Sequence, residues 1–210
     1  MTRIKLCGLT REQDIEAANR TRPDLIGFVF AAKSRRHVTP ERAKELRVLL
    51  DPSIRAVGVF VDEPADHVAA LLKEGVIDLA QLHGHEDDTY VEKLKGMTDA
   101  PILQAFQIRS EGDPAAASTS RADHILLDAG AGDGMVLNWE WLKGFDRPYY
   151  LAGGLNPDNV AQAVSLLHPY GVDVSSGIET DGVKDPDKMQ CFVERVRAAH
   201  TAIGSHRQQK

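Results

Sequence analysis

A thiol and a carboxylate stand at the ends of two short apolar runs in this sequence. Cys7 closes the run 4–7, and Asp128 directly follows the run 124–127. A thiolate can remove a proton from a substrate and a carboxylic acid can supply one, so these side chains are candidates for a general base and a general acid. A packing role for Cys7 and a helix cap at Asp128 are the alternatives that position alone leaves open.

Two glycine-containing turns follow further apolar runs in the last third of the chain. Gly153 and Gly154 follow the run 149–152, and Ser176 and Gly177 follow the next run along the sequence. Glycine lets backbone N–H groups approach an anion closely, and the serine hydroxyl adds another donor. Together the two turns predict a phosphate site, although each alone is explained equally well by a tight turn without a ligand.

Arg36 and His83 are the remaining candidates for contacts with a substrate. Arg36 lies in a polar segment after the second apolar run, and a guanidinium there is suited to a bidentate grip on a carboxylate. We expect His83 to face a pocket, with His85 at its solvent edge. These histidines and Glu86 suggest zinc, but a third ligand at a supporting spacing is missing, so we predict no metal.

Eight β-rich runs recur along the chain, and each is followed by a polar segment with helical spacing. Because alternating βα units stack into a parallel sheet, we predict a single α/β domain, a (β/α)8 TIM barrel. An open doubly wound sheet is the alternative, but 210 residues shared by eight units leave about 26 per unit, which favours the barrel. The strand candidates are residues 4–7, 25–30, 56–61, 79–83, 102–108, 124–127, 149–152 and 172–175.

The fifth unit and the C-terminus fit this pattern least well. Residues 110–120 are rich in Ala, Ser and Gly, so we expect the fifth helix to be short or irregular. Gly204 is interpreted as a helix stop, which predicts a barrel domain at 1–204 and a flexible tail at 205–210.

Composition narrows the class of protein. A net charge of -6, with no dense Lys/Arg run, argues against nucleic-acid binding. No stretch has the length of a membrane span and no apolar signal core follows Met1, so we expect a cytoplasmic protein. In that compartment Cys7 and Cys191 are interpreted as separate thiols, and Cys191, on a helix with apolar spacing, is predicted to be a core residue.

Seven short motifs occur in a specific order and spacing along nearly the whole chain. They are KLCGLT at 5–10, GFVF at 27–30 with KSRR at 33–36, VGVFV at 57–61, QLHG at 81–84, LLD at 126–128, AGGLNP at 152–157 with Asn159 and Val160, and VDVSSGIE at 172–179. In these motifs the sequence resembles the phosphoribosylanthranilate isomerases of tryptophan biosynthesis.

The resemblance implies an Amadori rearrangement of N-(5-phosphoribosyl)anthranilate without metal or organic cofactor. It implies that Asp128 is the general acid, that Cys7 is the general base, and that Arg36 holds the anthranilate carboxylate. The turns at 153–154 and 176–177 would then bind the phosphate. The expected partner is thus a small phosphorylated substrate, and the chain is expected to be a monomer or a homodimer.

One segment departs from the family pattern. Where the family commonly has a Gly-Gly-Ser/Thr-Gly stretch before Phe-Asp-Trp, this chain reads AGAGDGMVLNW at 129–139. Two other functions are compatible with the sequence. One is a histidine-pathway aminoaldose isomerase, or a dual-substrate enzyme, although no internal half-barrel repeat is found and Cys7 stands where that family has an aspartate. The other is a catalytically silent barrel that senses phosphorylated metabolites.

Overall fold

A computed structural model describes residues 1–128, 139–142 and 144–207, with side-chain burial described as far as residue 201. Eight parallel strands form a closed barrel in chain order. They are β1 (Arg3–Cys7), β2 (Leu25–Val29), β3 (Arg55–Phe60), β4 (Leu79–Leu82), β5 (Ile102–Gln107), β6 (His124–Asp128), β7 (Tyr149–Ala152) and β8 (Gly171–Val174).

Helices surround this barrel. The described α-helices are α1 (Glu12–Thr21), α2 (Pro40–Leu49), α3 (Ala65–Lys73), α4 (Asp88–Lys95), α5 (Pro114–Thr119), α6 (Val160–Leu167) and α7 (Pro186–Arg207). Between β8 and α7 the chain adds a 3₁₀ turn (Ser176–Ile178) and an antiparallel pair of short strands, β9 (Glu179–Thr180) and β10 (Val183–Lys184). The described chain contains no helix long and apolar enough to cross a membrane.

The barrel closes where the first strand pairs with the last. β1 pairs with β2 on one side and with β8 on the other, with Lys5 opposite Asp173. This ring confirms the predicted TIM barrel and excludes the open doubly wound sheet. Since parallel strands all point the same way, the residues that end them gather at one end of the barrel.

Both faces of the strands are buried, which explains why they read as continuous apolar runs. Inside the barrel, side chains from successive strands form one cluster, and a larger cluster fills the space between strands and helices. The inner cluster consists of Leu25, Val57, Leu79, Leu103, Leu126, Tyr150 and Ala152.

Proline and capping side chains set several helix starts. The Thr39 hydroxyl accepts a hydrogen bond from the Arg42 backbone N–H before α2, and the Asp87 carboxylate accepts one from the Tyr90 N–H at the start of α4. Proline opens α2, α5 and α7, where its missing N–H costs nothing. These ends fix where each strand-to-helix loop begins and ends.

The βα repeat is irregular in its fifth and sixth units, and only the sixth departs from the prediction. The fifth helix is present but has six residues, in agreement with the short helix expected there. In the sixth unit the described segment after β6 is a 3₁₀ helix (Trp139–Leu142) in place of the predicted α-helix. The preceding residues 129–138, including the atypical glycine-rich segment, lie outside the described residues.

The last helix is longer than predicted. α7 runs through Gly204 to Arg207, so the proposed boundary at 204 falls inside a helix and the glycine stop was wrong. A glycine inside a helix lowers helix stability by only about 1 kcal/mol relative to alanine, which the other interactions of a long helix can offset. Residues 208–210 of the predicted tail lie outside the described residues.

Candidate active site

The side chains chosen from the sequence gather at the carboxyl end of the barrel. Cys7 is the last residue of β1 and Asp128 the last of β6, while His83 directly follows β4. The loops after β2, β7 and β8 contribute Arg36, the Gly153–Gly154 pair and the Ser176–Gly177 pair, respectively. All predicted site residues therefore lie at the barrel end where enzymes of this architecture bind substrates.

Cys7 lies against the neighbouring strand with little space around its sulfur. It is only 7% exposed, and its backbone carbonyl accepts a hydrogen bond from the Ser175 hydroxyl at 3.2 Å. A Cβ atom built on Gly27 would lie 2.7 Å from the Cys7 Sγ. Glycine at position 27 is thus what allows β2 to approach the thiol.

A buried ion pair lies next to Cys7 inside the barrel. Lys5, two residues earlier on the same strand, is fully buried, and its Nζ donates to both carboxylate oxygens of Asp173 at 3.0 Å. Sequence reasoning missed this pair. Two signals could have found it. Side chains alternate along a strand, so Lys5 lies on the same face as Cys7, and Asp173 is a charged residue within the otherwise apolar strand β8.

The charges around Cys7 act in opposite directions on its thiol. Burial raises the pKa of Cys7, since an anion is unfavourable in an apolar environment. The Lys5 ammonium opposes that rise, Asp173 adds to it, and Lys184 on β10 opposes it weakly. Burial would by itself lower the pKa of Lys5, but the charge of Asp173 turns the net shift upward, so this lysine stays charged.

Asp128 lies across from His83 at the barrel mouth. The His83 Nε2 is 3.2 Å from the Asp128 Oδ2, and both side chains are partly open to solvent, at 27% and 18%. His83 was predicted to face the pocket, and the structure gives it a specific partner there, the carboxylate chosen as general acid. The imidazole can orient this carboxyl group and exchange a proton with it.

Arg36 is already held by a carboxylate of the protein itself. Its Nε and Nη2 donate to the two oxygens of Glu179 at 2.6 and 2.9 Å. The Glu179 side chain is 4% exposed and also accepts from Arg35 and Lys184, each at 2.6 Å. Burial would raise the pKa of Glu179, but Arg36 and Lys184 bring it below its ordinary value, so the residue is an anion. Glu179 was not among the predicted site residues, although it ends the last matching motif.

The two predicted phosphate turns touch each other. A Cβ on Gly177 would overlap the Leu155 carbonyl oxygen and would lie 2.9 Å from the Asn156 Cα, so only glycine fits between the turns. Gly154 has a positive φ of 64°, and its carbonyl accepts a hydrogen bond from the Asn159 amide at 2.9 Å. The turn after β7 is thus braced by a hydrogen bond of its own and packs closely against the turn after β8.

A cavity of about 720 Å³ opens beside this mouth. It extends from His83 across the carboxyl ends of β4 and β5 to Phe106 and Gln107. Its size falls within the range that holds small organic ligands.

No group of three potential metal ligands occurs among the residues that the structure describes. His85 is at the solvent edge, as expected, with its Nδ1 3.0 Å from the Asp62 carboxylate. Cys191 is a free thiol on α7 and is only partly buried.

Comparison with known proteins decides the family. The model of the N-(5'-phosphoribosyl)anthranilate (PRA) isomerase family matches residues 4–195. The chain belongs to the phosphoribosylanthranilate isomerase family. It is 43% identical to the N-(5'-phosphoribosyl)anthranilate isomerase of Endomicrobium trichonymphae over 203 residues, which cover 94% of this chain and all of that one.

Solved structures of phosphoribosylanthranilate isomerases have the same barrel. The enzyme of Thermotoga maritima superposes with a TM-score of 0.86 at 33% identity, over 94% of this chain and all of that one. A second family structure, with a TM-score of 0.84, 33% identity and the same coverage of both chains, was solved in complex with reduced 1-(o-carboxyphenylamino)-1-deoxyribulose 5-phosphate. The chain is therefore an isomerase with the (β/α)8 barrel of this family.

Proposed function

We propose that this phosphoribosylanthranilate isomerase converts N-(5-phosphoribosyl)anthranilate into 1-(2-carboxyphenylamino)-1-deoxyribulose 5-phosphate in tryptophan biosynthesis, with Asp128 as general acid and Cys7 as general base. One observation carries the assignment of roles. The two groups end β1 and β6 of the same closed barrel, at the end that also presents Arg36 and the two glycine turns. A substrate held by its carboxylate and its phosphate would thus lie across both.

The first step opens the sugar ring. Asp128 donates a proton to the furanose ring oxygen, the bond from C1 to that oxygen breaks, and the nitrogen lone pair forms an iminium with C1. His83, 3.2 Å from the acid, keeps the carboxyl group oriented towards the mouth. The positive nitrogen then makes the proton on C2 acidic.

The second step moves that proton. The Cys7 thiolate removes it, and the electron pair left on C2 forms the double bond of an enolamine, which neutralises the nitrogen. Transfer of a proton from the C2 hydroxyl to C1 gives the ketone. The thiol and the carboxyl group must start in opposite protonation states, and the Lys5 ammonium favours the thiolate against the effect of burial.

Both ends of the substrate are bound away from the reacting atoms. Arg36 still has N–H donors beyond the two that Glu179 accepts, and these are assigned to the anthranilate carboxylate. The turns at Gly153–Gly154 and Ser176–Gly177 are assigned to the phosphate. Such remote contacts supply the binding energy that orients C2 and the ring oxygen against the catalytic side chains.

Steady-state turnover tests this function directly. The purified protein is given freshly generated phosphoribosylanthranilate, and loss of the anthranilate-type fluorescence is followed, with the histidine-pathway aminoaldose as a parallel substrate. Turnover of the first substrate alone is expected. Turnover of both would establish a dual-substrate enzyme, and turnover of neither would overturn the proposed function in favour of a silent binding protein.

A further inference from the structure

The hairpin formed by β9 and β10 places two buried charges beside Arg36. Glu179 and Lys184 are paired in register across the two strands, and their side chains are 4% and 3% exposed. The connecting residues Asp181 and Gly182 both have positive φ, at 51° and 81°, which is the conformation of a tight two-residue hairpin turn. The hairpin thus turns two opposite charges inward, an arrangement that needs an explanation beyond packing.

Stability alone does not account for these charges. Removing charged groups from water is costly, and a buried ion pair is often no more stabilising than apolar side chains of the same size. Hydrogen bonds from α1 and α7 nevertheless hold the Glu179–Lys184 pair in place. Arg11 at the start of α1 donates to the Lys184 carbonyl at 2.8 Å, and Lys188 on α7 donates to the Glu179 carbonyl at the same distance.

We propose that Glu179 and Lys184 are positioning residues, which hold Arg36 by one edge so that its other edge faces the carboxylate of the substrate. This inference rests on the proposed function and assigns the selection for a carboxylated substrate to the hairpin. Neither residue needs to touch the substrate.

The hydrogen bonds of Arg36 define which edge is left. A guanidinium carries five N–H donors in a flat fork, and Glu179 takes one from Nε and one from Nη2. The remaining edge, formed by Nη1 and the second Nη2 hydrogen, has the geometry for another bidentate contact with a carboxylate. The aliphatic part of Arg36 packs on Gly8, where a Cβ would overlap the Arg36 Cδ, so the side chain has little freedom to turn.

Lys184 completes the arrangement by fixing Glu179. Its ammonium donates to the Glu179 Oε1 at 2.6 Å and to the Ser175 carbonyl at 2.8 Å, which ties the carboxylate to the loop after β8. Three cations, namely Arg35, Arg36 and Lys184, surround this one anion. The cluster therefore keeps an excess of positive charge and still attracts a second carboxylate.

Two ligands and one conservative variant test this role. The ligands are reduced 1-(o-carboxyphenylamino)-1-deoxyribulose 5-phosphate and the same compound without its carboxylate, and their dissociation constants are measured by calorimetry. The wild-type protein should prefer the carboxylated ligand. In Glu179→Gln the preference should fall by about 10- to 100-fold, the value of one or two charged hydrogen bonds, while binding of the second ligand stays unchanged.

Control variants separate positioning from general damage. Glu45→Gln removes the carboxylate charge from an exposed pair with Arg42 and should change neither dissociation constant. Equal weakening of both ligands in Glu179→Gln would overturn the proposal, as would an unchanged preference. If that variant does not fold, Lys184→Met replaces it, because it frees the Glu179 carboxylate from the loop after β8 and should lower the same preference. Failure of the wild-type protein to bind either ligand would refute the proposed function instead.

Discussion

At the scale of single residues, the pKa of the Cys7 thiol depends on charged side chains of the protein itself. Burial raises its pKa and Lys5 opposes that rise, so reactivity at neutral pH is a balance between an apolar environment and a buried cation. Asp173 keeps this cation charged but disfavours a thiolate nearby. The two partners of the ion pair thus act in opposite directions: Lys5 lowers the pKa of the thiol and Asp173 raises it.

Removing either of the two proposed catalytic groups, Cys7 or Asp128, should abolish most turnover. We expect kcat to fall by about 10²- to 10⁴-fold in Cys7→Ser, since an alcohol is a far weaker base, and by a similar factor in Asp128→Ala. The measurement is steady-state kinetics by fluorescence, with Cys191→Ser as the matched thiol control. Wild-type turnover in either active-site variant would remove that residue from the mechanism.

The ion pair gives a prediction about pH. In a Cys191→Ala background, alkylation of Cys7 by iodoacetamide is followed against pH. The double variant Lys5→Met/Asp173→Asn should shift this profile to higher pH, because Lys5 lowers the pKa of the thiol more than Asp173 raises it.

The single variant Asp173→Asn should shift the alkylation profile of Cys7 in the opposite direction. It removes an anion that raises the pKa of Cys7 and leaves the thiolate as a counter-charge for the buried Lys5 ammonium, so alkylation should begin at lower pH than in the parent protein. Both profiles moving in the same direction would contradict the assigned roles. The double variant avoids an unpaired buried carboxylate, which by itself would cost about 3–5 kcal/mol of stability.

At the scale of elements, the site depends on loops that touch one another. The turns after β7 and β8 meet at Gly177, where the backbone of one lies against the backbone of the other. A phosphate placed between them would receive donors from both at once. The strands carry the proposed catalytic groups Cys7 and Asp128, and under the proposed function the contact between the turns would set the distance from those groups to the phosphate of the substrate.

A methyl group at this contact should disturb phosphate binding. In Gly177→Ala the turns must move apart, so we expect a loss of about 1–3 kcal/mol in unfolding free energy and a raised dissociation constant for inorganic phosphate. Calorimetric titration measures the second effect. Gly112→Ala, where a Cβ meets no atom within 4 Å, is the control and should bind phosphate normally. If Gly177→Ala also binds phosphate normally, the phosphate does not bind between these two turns.

The sequence predicted the strands to within a residue or two, because strands buried on both faces give unbroken apolar runs. It predicted the positions of Cys7, Asp128 and the turns for the same reason, since Cys7 ends such a run and the others directly follow one. The hairpin was missed because its strands have two residues each, too short for any periodicity. The Arg36–Glu179 contact joins residues 143 positions apart, and a single sequence carries no local signal for a pair that only barrel closure brings together.

At the scale of the whole molecule, α7 closes the ring of helices by packing against both α1 and α6. Its buried face includes Phe192, which is fully inaccessible to solvent. First and last elements of the chain therefore share one core. We expect unfolding in a single transition, because no described element carries a core of its own.

Truncation of Phe192 tests this coupling. Phe192→Ala should cost about 3–5 kcal/mol, measured by urea unfolding, and both fluorescence and circular dichroism should report the same lowered midpoint. Leu166→Ala, on a side chain that is 60% exposed, should change stability by no more than about 0.5 kcal/mol. Two separate transitions in the Phe192 variant would show that the C-terminal helix folds independently.

The pairing of Lys5 with Asp173 also bears on how the protein is made. The two residues are 168 positions apart, and a ribosome adding about 5–20 residues per second needs on the order of 10–30 s to travel from one to the other. Throughout that time Lys5 lacks its native partner Asp173, and β1 lacks its pairing with β8. Burial of β1 is therefore unfavourable until the last strand has been made, because the Lys5 ammonium would enter the barrel without the carboxylate that compensates its charge.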